Sequence, residues 1–274
     1  MKSRGFTLVE LVVAITISSI VVVFAAMFIG APVSAYQMQS RRATLVADTS
    51  SAWPRMETDL RAALPNSLRW RRNGSYVVIE MLSVVDVARY MTAPAAMFNT
   101  AGTFRGITVP MTTTSYYLSV GNLGTAGANA YALSGSITPA GATIQLAAGA
   151  SAGEAALTVN PAPVFSAAAL AASPKHRIFL VSGPVSYLCD ETLGTLRRYA
   201  GYPIALNQTS FDTPAEFAAA GATGALIAQG LTTCNFAVSA IGGAQSQTAS
   251  ARLTTTRNGD SVALLHSSHA EYLP

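Results

Sequence analysis

The chain has 274 residues, half of them hydrophobic and only 11% charged, with a formal charge of +4. That length allows one large domain or two small ones, and the charge fraction is far below the about 25% of a soluble globular protein. The composition argues against an ordinary cytosolic enzyme. It also argues against a nucleic-acid binder, which needs a dense basic face interleaved with stacking aromatics. Lysine is confined to Lys2 and Lys175, so the basic character is arginine, and Arg41, Arg42, Arg55, Arg61, Arg69, Arg71 and Arg72 cluster between positions 41 and 72. With Asp48, Glu57 and Asp59 among them, they are expected on a solvated or subunit-facing helix surface.

Residues 1–5, Met-Lys-Ser-Arg-Gly, are short and basic, and residues 6–29 are apolar apart from Glu10 and a few hydroxyl side chains. A helix of about 20 such residues crosses a bilayer core. A cleaved secretory signal has a shorter apolar core followed by small residues, and Ala31 and Ala35 after Gly30 could mimic such a site. The apolar run is too long for that reading, which also leaves Glu10 without a reason. An ionisable group in a membrane segment is costly and usually functional, although an anion in the first turns of a helix is also favoured by the dipole. Position alone does not decide between the two.

The combination does. Gly5, Phe6, Thr7, Leu8, Val9 and Glu10, behind a basic leader and ahead of an apolar span, resemble the prepilin processing motif of the type IV pilin-like (pseudopilin) family. The resemblance implies that prepilin peptidase cleaves between Gly5 and Phe6 on the cytoplasmic side and methylates the new amine of Phe6. It implies that Glu10 pairs with the N-terminal amine of a neighbouring subunit during assembly. In hydrocarbon a carboxylate and an ammonium are each strongly penalised until they meet. Lys2 and Arg4 would hold the leader in the cytoplasm, while Arg41 and Arg42 beyond the other end weaken that charge bias. The implied place is the inner membrane, single-pass, with a periplasmic head, and then a pilus or pseudopilus. Without the leader, 15 basic and 13 acidic residues remain.

Beyond the span, Pro32 is a candidate kink. Leu45, Thr49, Trp53, Met56, Leu60 and Leu64 recur at three- or four-residue steps, which predicts an amphipathic helix. One long helix is expected from about Phe6 to Ala63, ending near Pro65, with Trp53 and Met56 in the core. From residue 75 the period changes. Residues 76–81 read as a strand with 84–90 as its hairpin partner, and shorter strands are expected at 116–120, 143–146 and 155–159. Further strands fall at 177–182, 184–189, 195–199, 233–238, 251–255 and 261–266, with Gly194 and Asn258-Gly259 at turns. The expected organisation is a leader at 1–5, a transmembrane assembly helix at 6–30, an amphipathic continuation at 31–65 and a β-rich head at 66–274. A loop-rich insertion is expected around 121–172. The fold class is α+β: a long N-terminal helix packed on a mainly antiparallel sheet.

Two cysteines, Cys189 and Cys234, read as one disulfide in an oxidising compartment, worth roughly 4 kcal/mol, or as two buried thiols in a reducing one. The segments Val185-Ser186-Tyr187-Leu188-Cys189, Gly194-Thr195-Leu196-Arg197-Arg198-Tyr199 and Cys234-Asn235-Phe236 are similar to heads of minor pilin-like subunits of the mannose-sensitive haemagglutinin (MSHA) pilus. The ending, from Ser261 to Pro274, is similar too. J-type minor pseudopilins of type II secretion share this plan. The implied role is assembly, with prepilin peptidase, other pilin-like subunits and the inner membrane as partners; a tip adhesin is an alternative. No catalytic residue, cofactor, metal or small-molecule substrate is expected. His266 and His269 are spaced wrongly for a shared zinc on a strand, no nucleophile elbow, zincin motif or phosphate loop occurs, and Glu80 and Asp86 are expected to be solvated. Tyr116, Tyr117, Tyr187, Tyr199 and Tyr202 could line a binding surface but more often pack.

Overall fold

Residues 11–40 contain no charged side chain, so nothing polar interrupts a helix over them. Their many Val and Ile residues are modest helix formers in water, but in hydrocarbon every backbone group must bond within the segment, which selects the helix. The computed structural model describes residues 7–90, 102–105, 116–148, 154–161, 165–240 and 247–270. The leader with Gly5, the Phe6 amine, parts of the loop-rich lobe and the last four residues lie outside them. The chain divides into two units, Met1–Ala47 and Asp48–Pro274. Helix α1 (Leu8–Ser50) makes up the described part of the first and continues through Pro32.

The expected single helix to Ala63 is interrupted. Ser51 and Ala52 form a turn, and α2 (Trp53–Arg61) is separate. The cause is Pro54. It lacks an N–H, and its ring clashes with the carbonyl four residues back, at Ser50, where α1 stops; in the first turn of a new helix the same residue is well tolerated. After α2, Ala63 bridges to Ser83, and Leu64 donates to the Leu82 carbonyl at 2.7 Å.

Among the described residues the head contains two antiparallel sheets. Strands β1 (Arg69–Asn73) and β2 (Tyr76–Tyr90) form a hairpin around Gly74, whose φ of 56° needs no Cβ. Next come β3 (Gly102–Arg105), β4 (Tyr117–Ser119), β5 (Thr143–Ala148) and β6 (Glu154–Asn160), then short helix α3 (Ala167–Ala171). The chain continues through β7 (Arg177–Asp190), β8 (Thr195–Ala200), helix α4 (Pro214–Ala219) and β9 (Thr223–Gln229). The larger sheet runs β5-β6-β3-β2-β7-β8-β9, with β1 also on β2 and β4 also on β7. Strands β10 (Leu231–Ala240), β11 (Gln247–Arg257) and β12 (Asp260–Ala270) form the smaller one.

Two expected breaks are absent. The supposed hairpin of 76–81 with 84–90 is one strand, β2, because Met81-Leu82-Ser83-Val84 offers no turn residue. A bulge at Ser83–Asp86 bends the strand without reversing it. Gly183 and Pro184 do not split β7 either. Gly183, at φ 135°, lies opposite Ser83, and Pro184 lies opposite Leu82, so both residues fall beside that bulge.

Around β2 and β7 the larger sheet is covered on both sides, which explains why Val77-Val78-Ile79 reads as a continuous apolar run. On one side Val77, Ile79, Met81, Tyr187 and Cys189 meet Trp53, Met56 and Leu60 of α2 and Phe236, Ala251 and Leu253 of the smaller sheet. On the other, Val78 and Leu188 meet Tyr199, Tyr202, Phe211 and Phe217, with the Tyr199 and Phe217 rings stacked at 4.3 Å.

Two buried carboxylates tie this core together. Asp59 Oδ2 accepts from the Tyr187 hydroxyl at 2.6 Å and from Arg198 Nε at 2.5 Å, fastening α2 to β7 and β8. Burial, helped by Asp59, pushes the Tyr187 hydroxyl far above its ordinary range, so it stays a donor. Glu80 is fully buried, contrary to its expected solvation, and accepts from Arg69 Nε at 2.8 Å. Arg69 also donates to the Ala205 and Leu206 carbonyls and lies 3.5 Å from the Tyr131 ring centroid. Burial raises the Glu80 carboxyl, and Arg69 opposes this only in part.

Replacing Asp59 by Asn strands part of the Arg198 charge and should cost about 3 kcal/mol. Urea unfolding of the detergent-solubilised chain, followed by the fluorescence of Trp53 and Trp70, reads this; an unchanged midpoint would refute the fastening role. Glu80 binds its proton more tightly folded than unfolded. Its contribution is therefore complete below about pH 4.3, the unfolded value, and is lost as pH rises through the higher folded value. Relative to Glu80→Gln, the wild-type midpoint should fall between pH 4 and pH 7, and a pH-independent difference would contradict this account.

Candidate functional site

At the start of α1, Thr7 and Glu10 form a capping box. Glu10 Oε2 accepts from the Thr7 backbone N–H at 3.1 Å and the Thr7 hydroxyl at 3.0 Å, while the Glu10 N–H donates to Thr7 Oγ1 at 3.3 Å. The arrangement satisfies N–H groups that a helix start leaves unpaired. Both side-chain bonds go to Oε2, and Oε1 accepts none among the described residues. Thr7 was not singled out as a site residue, although Thr-x-x-Glu ahead of an apolar run is a sequence-level capping signature.

The helix behind this cap is apolar on every side. Leu8, Val12, Ile15, Val22, Phe24 and Phe28 point in different directions and are all more than half exposed in the isolated chain. Such a surface must be covered by lipid or by other apolar helices. Residues Leu8–Ala47 are long and apolar enough to cross a membrane.

The head's sequence candidates are dispersed or committed to structure. Tyr187, Tyr199 and Tyr202 are buried, and Tyr116 and Tyr117 pack at the edges of apolar clusters. His266 stacks on Trp53 at 4.7 Å, whereas His269 faces outward and bonds Thr248. Asp86 accepts from the Val87 N–H at 2.7 Å. Among the described residues no cluster of His, Cys, Asp and Glu could hold a metal. A cleft of about 470 Å³ is lined by residues including Asn66, Arg69, Tyr131 and Gln247. Its polar groups are largely occupied: Gln247 bonds both backbone groups of Leu68, and the Tyr131 hydroxyl donates to the Ser67 carbonyl.

The arginines expected on a helix surface divide in the same way. Arg69, Arg71 and Arg72 lie on β1 and pair with Glu80, Asp212 and Glu191 at 2.8, 2.7 and 2.6 Å. Cys189 on β7 and Cys234 on β10 are joined by a disulfide linking the two sheets, their Cα atoms 6.3 Å apart. The Arg72–Glu191 pair adjoins it. Glu191 Oε1 accepts from the Cys234 N–H at 2.9 Å, and Arg72 Nη2 donates to the Cys234 carbonyl at 2.9 Å. Arg72 and the Cys234 amide hold the Glu191 carboxyl below its usual range.

Comparison with known proteins places one feature. Residues 1–26 match the prokaryotic N-terminal methylation motif. No curated protein and no solved structure matches the chain. The motif supports a type IV pilin-like family, and with it processing by prepilin peptidase and assembly with other pilins.

Proposed function

We propose that this chain is a minor pilin-like subunit needed for assembly of a type IV pilus of the MSHA kind, most like its component MshO. The observation that carries the reading is register. A basic leader, Gly5, Phe6, a glutamate at Glu10 and an apolar helix starting at Leu8 fall in the order that leader removal and bundling require. Prepilin peptidase cuts between Gly5 and Phe6 and methylates the Phe6 amine. The helix then sits in the inner membrane with the head in the periplasm.

Glu10 supplies the assembly step. Before assembly its carboxylate is satisfied by Thr7 of its own chain, so the solitary subunit has no naked charge at the helix start. The remaining oxygen can accept the amine of a neighbouring subunit, and that meeting is strong only where water is excluded. A subunit out of register leaves both charges uncompensated, which fixes the stagger.

Intact mass and N-terminal sequencing of the protein from its native membrane should give a chain that starts at Phe6 with one extra methyl group. A start between residues 31 and 36, or an uncut Met1, would overturn the proposal. Glu10→Gln keeps an oxygen for the Thr7 cap but removes the charge. It should be processed normally yet enter sheared filaments at least about tenfold less, the equivalent of ~1.4 kcal/mol. Equal incorporation of Glu10→Gln and wild type would dismiss the charge-pairing role.

A further inference from the structure

We propose that the Arg72–Glu191 ion pair is a positioning device for disulfide formation, holding the Cys234 backbone beside Cys189 before the sulfurs are bonded. The two cysteines start from unequal situations. Cys189 lies within the larger sheet, paired with Val77 of β2 on one side and Leu196 of β8 on the other, so its thiol is fixed by the fold. Cys234, buried in the same core cluster, lies on β10, which among the described residues is an edge of the smaller sheet and pairs there with Leu253 of β11. The free edge of such a strand leaves backbone groups to water. Here the Cys234 N–H and carbonyl are both taken by one ion pair.

That pair is anchored on the side of the fixed thiol. Glu191 follows β7 directly, two residues after Cys189, and its N–H donates to the Ser75 carbonyl at 3.0 Å. Arg72 comes from β1 and meets both Glu191 oxygens, at 2.6 and 3.1 Å. The bracket therefore holds the strand that carries Cys234 against the strand that carries Cys189, through contacts that do not require the S–S bond. Hydrogen bonds to charged groups are the stronger kind, and what they remove is conformational freedom of the reduced state.

Oxidation by a disulfide donor has two steps. One cysteine thiolate attacks a donor sulfur, forming a mixed disulfide and expelling one donor thiolate. The other cysteine thiolate then attacks the protein sulfur of that mixed disulfide and expels the second donor thiolate. In sum, two protein thiols become one disulfide, and the donor disulfide becomes two thiols that carry the protons. Only the second step needs Cys234 close to Cys189, so only that step depends on the bracket. In the cell the donor belongs to an oxidising compartment, which rests on the periplasmic head proposed above; the chemistry itself can be read with glutathione regardless of location.

The experiment uses the full chain in detergent, reduced, equilibrated in reduced and oxidised glutathione, acid-quenched, alkylated and weighed by mass spectrometry. Arg72→Met should need about tenfold more oxidised glutathione, at fixed reduced glutathione, for half-oxidation, and should accumulate a glutathione mixed disulfide. Arg71→Met is the control. It removes a pair of similar geometry with Asp212 from the neighbouring residue of β1 without touching Cys234, and it should titrate as wild type. Glu191→Gln, which keeps an acceptor for the Cys234 N–H but not the ion pair, should shift by about threefold and serves if Arg72→Met does not fold. Wild-type midpoints for both bracket variants would overturn the proposal. So would an equal shift for Arg71→Met, since the effect would then be general destabilisation.

Discussion

Water cannot accommodate a helix that is apolar on every side, and the organisation of this chain follows from that constraint. From residue 11 to residue 40 the sequence offers no charge, and α1 exposes Leu, Val, Ile and Phe around its whole circumference. Lipid or other apolar helices must cover that surface. Glu10 then stands at the one place where a charge is tolerable, the first turn, where N–H groups lack partners and the dipole favours an anion. The Thr7 cap makes the carboxylate compatible with the isolated chain, while the methylation motif at residues 1–26 gives the same carboxylate a context of leader removal and assembly.

The head obeys the opposite rule, because it has to hold its shape with few charges and little lysine. Three of its arginines join parts of it that are distant in sequence. Arg69, Arg72 and Arg198 each reach between segments far apart in sequence: Arg69 and Arg72 bond a carboxylate and backbone carbonyls together, and Arg198 bonds both oxygens of Asp59. The fork of a guanidinium suits this task better than a lysine ammonium, since it can serve a carboxylate and backbone carbonyls together. The near absence of lysine thus has a structural counterpart.

The α+β plan was legible because its periods are strong. The apolar run at residues 6–29 and the three- to four-residue steps through Trp53, Met56 and Leu60 correspond to α1 and α2, and the alternating stretches after residue 230 correspond to β10–β12. Errors arose where a local breaker acts in a context the sequence does not display. Pro54 reads as one more residue in an amphipathic stretch, yet it ends α1 and opens α2. Gly183-Pro184 reads as a boundary, yet it is absorbed where the opposite strand carries a bulge. Among the described elements β1, β3, α3, α4 and β9 have no counterpart among those expected; Thr213-Pro214-Ala215-Glu216 is a capping box that announces α4, and β9, Thr-Gly-Ala-Leu-Ile-Ala-Gln, has no alternation to announce it. The Thr7–Glu10 cap was within reach of the sequence, because its residues stand three apart. The Arg72–Glu191 bracket was not, because it joins residues 119 apart.

Four acidic residues show how far the meaning of a carboxylate depends on its surroundings. Glu80 is sealed away from water, so its charge is expensive and Arg69 compensates only part of the cost. Asp59 is nearly as buried but receives a phenol and a guanidinium, which makes it a clasp between helix and sheet. Glu191 is partly exposed and already lowered by its partners; its value lies in direction, since it fixes a backbone amide next to a sulfur. Glu10 alone is held only by its own helix start, through contacts that a competing cation can share or replace. A carboxylate that is fully enclosed can stabilise a fold but cannot respond to a second molecule. In the assembly role proposed above, Glu10 is the one of the four whose environment would change on the arrival of another chain.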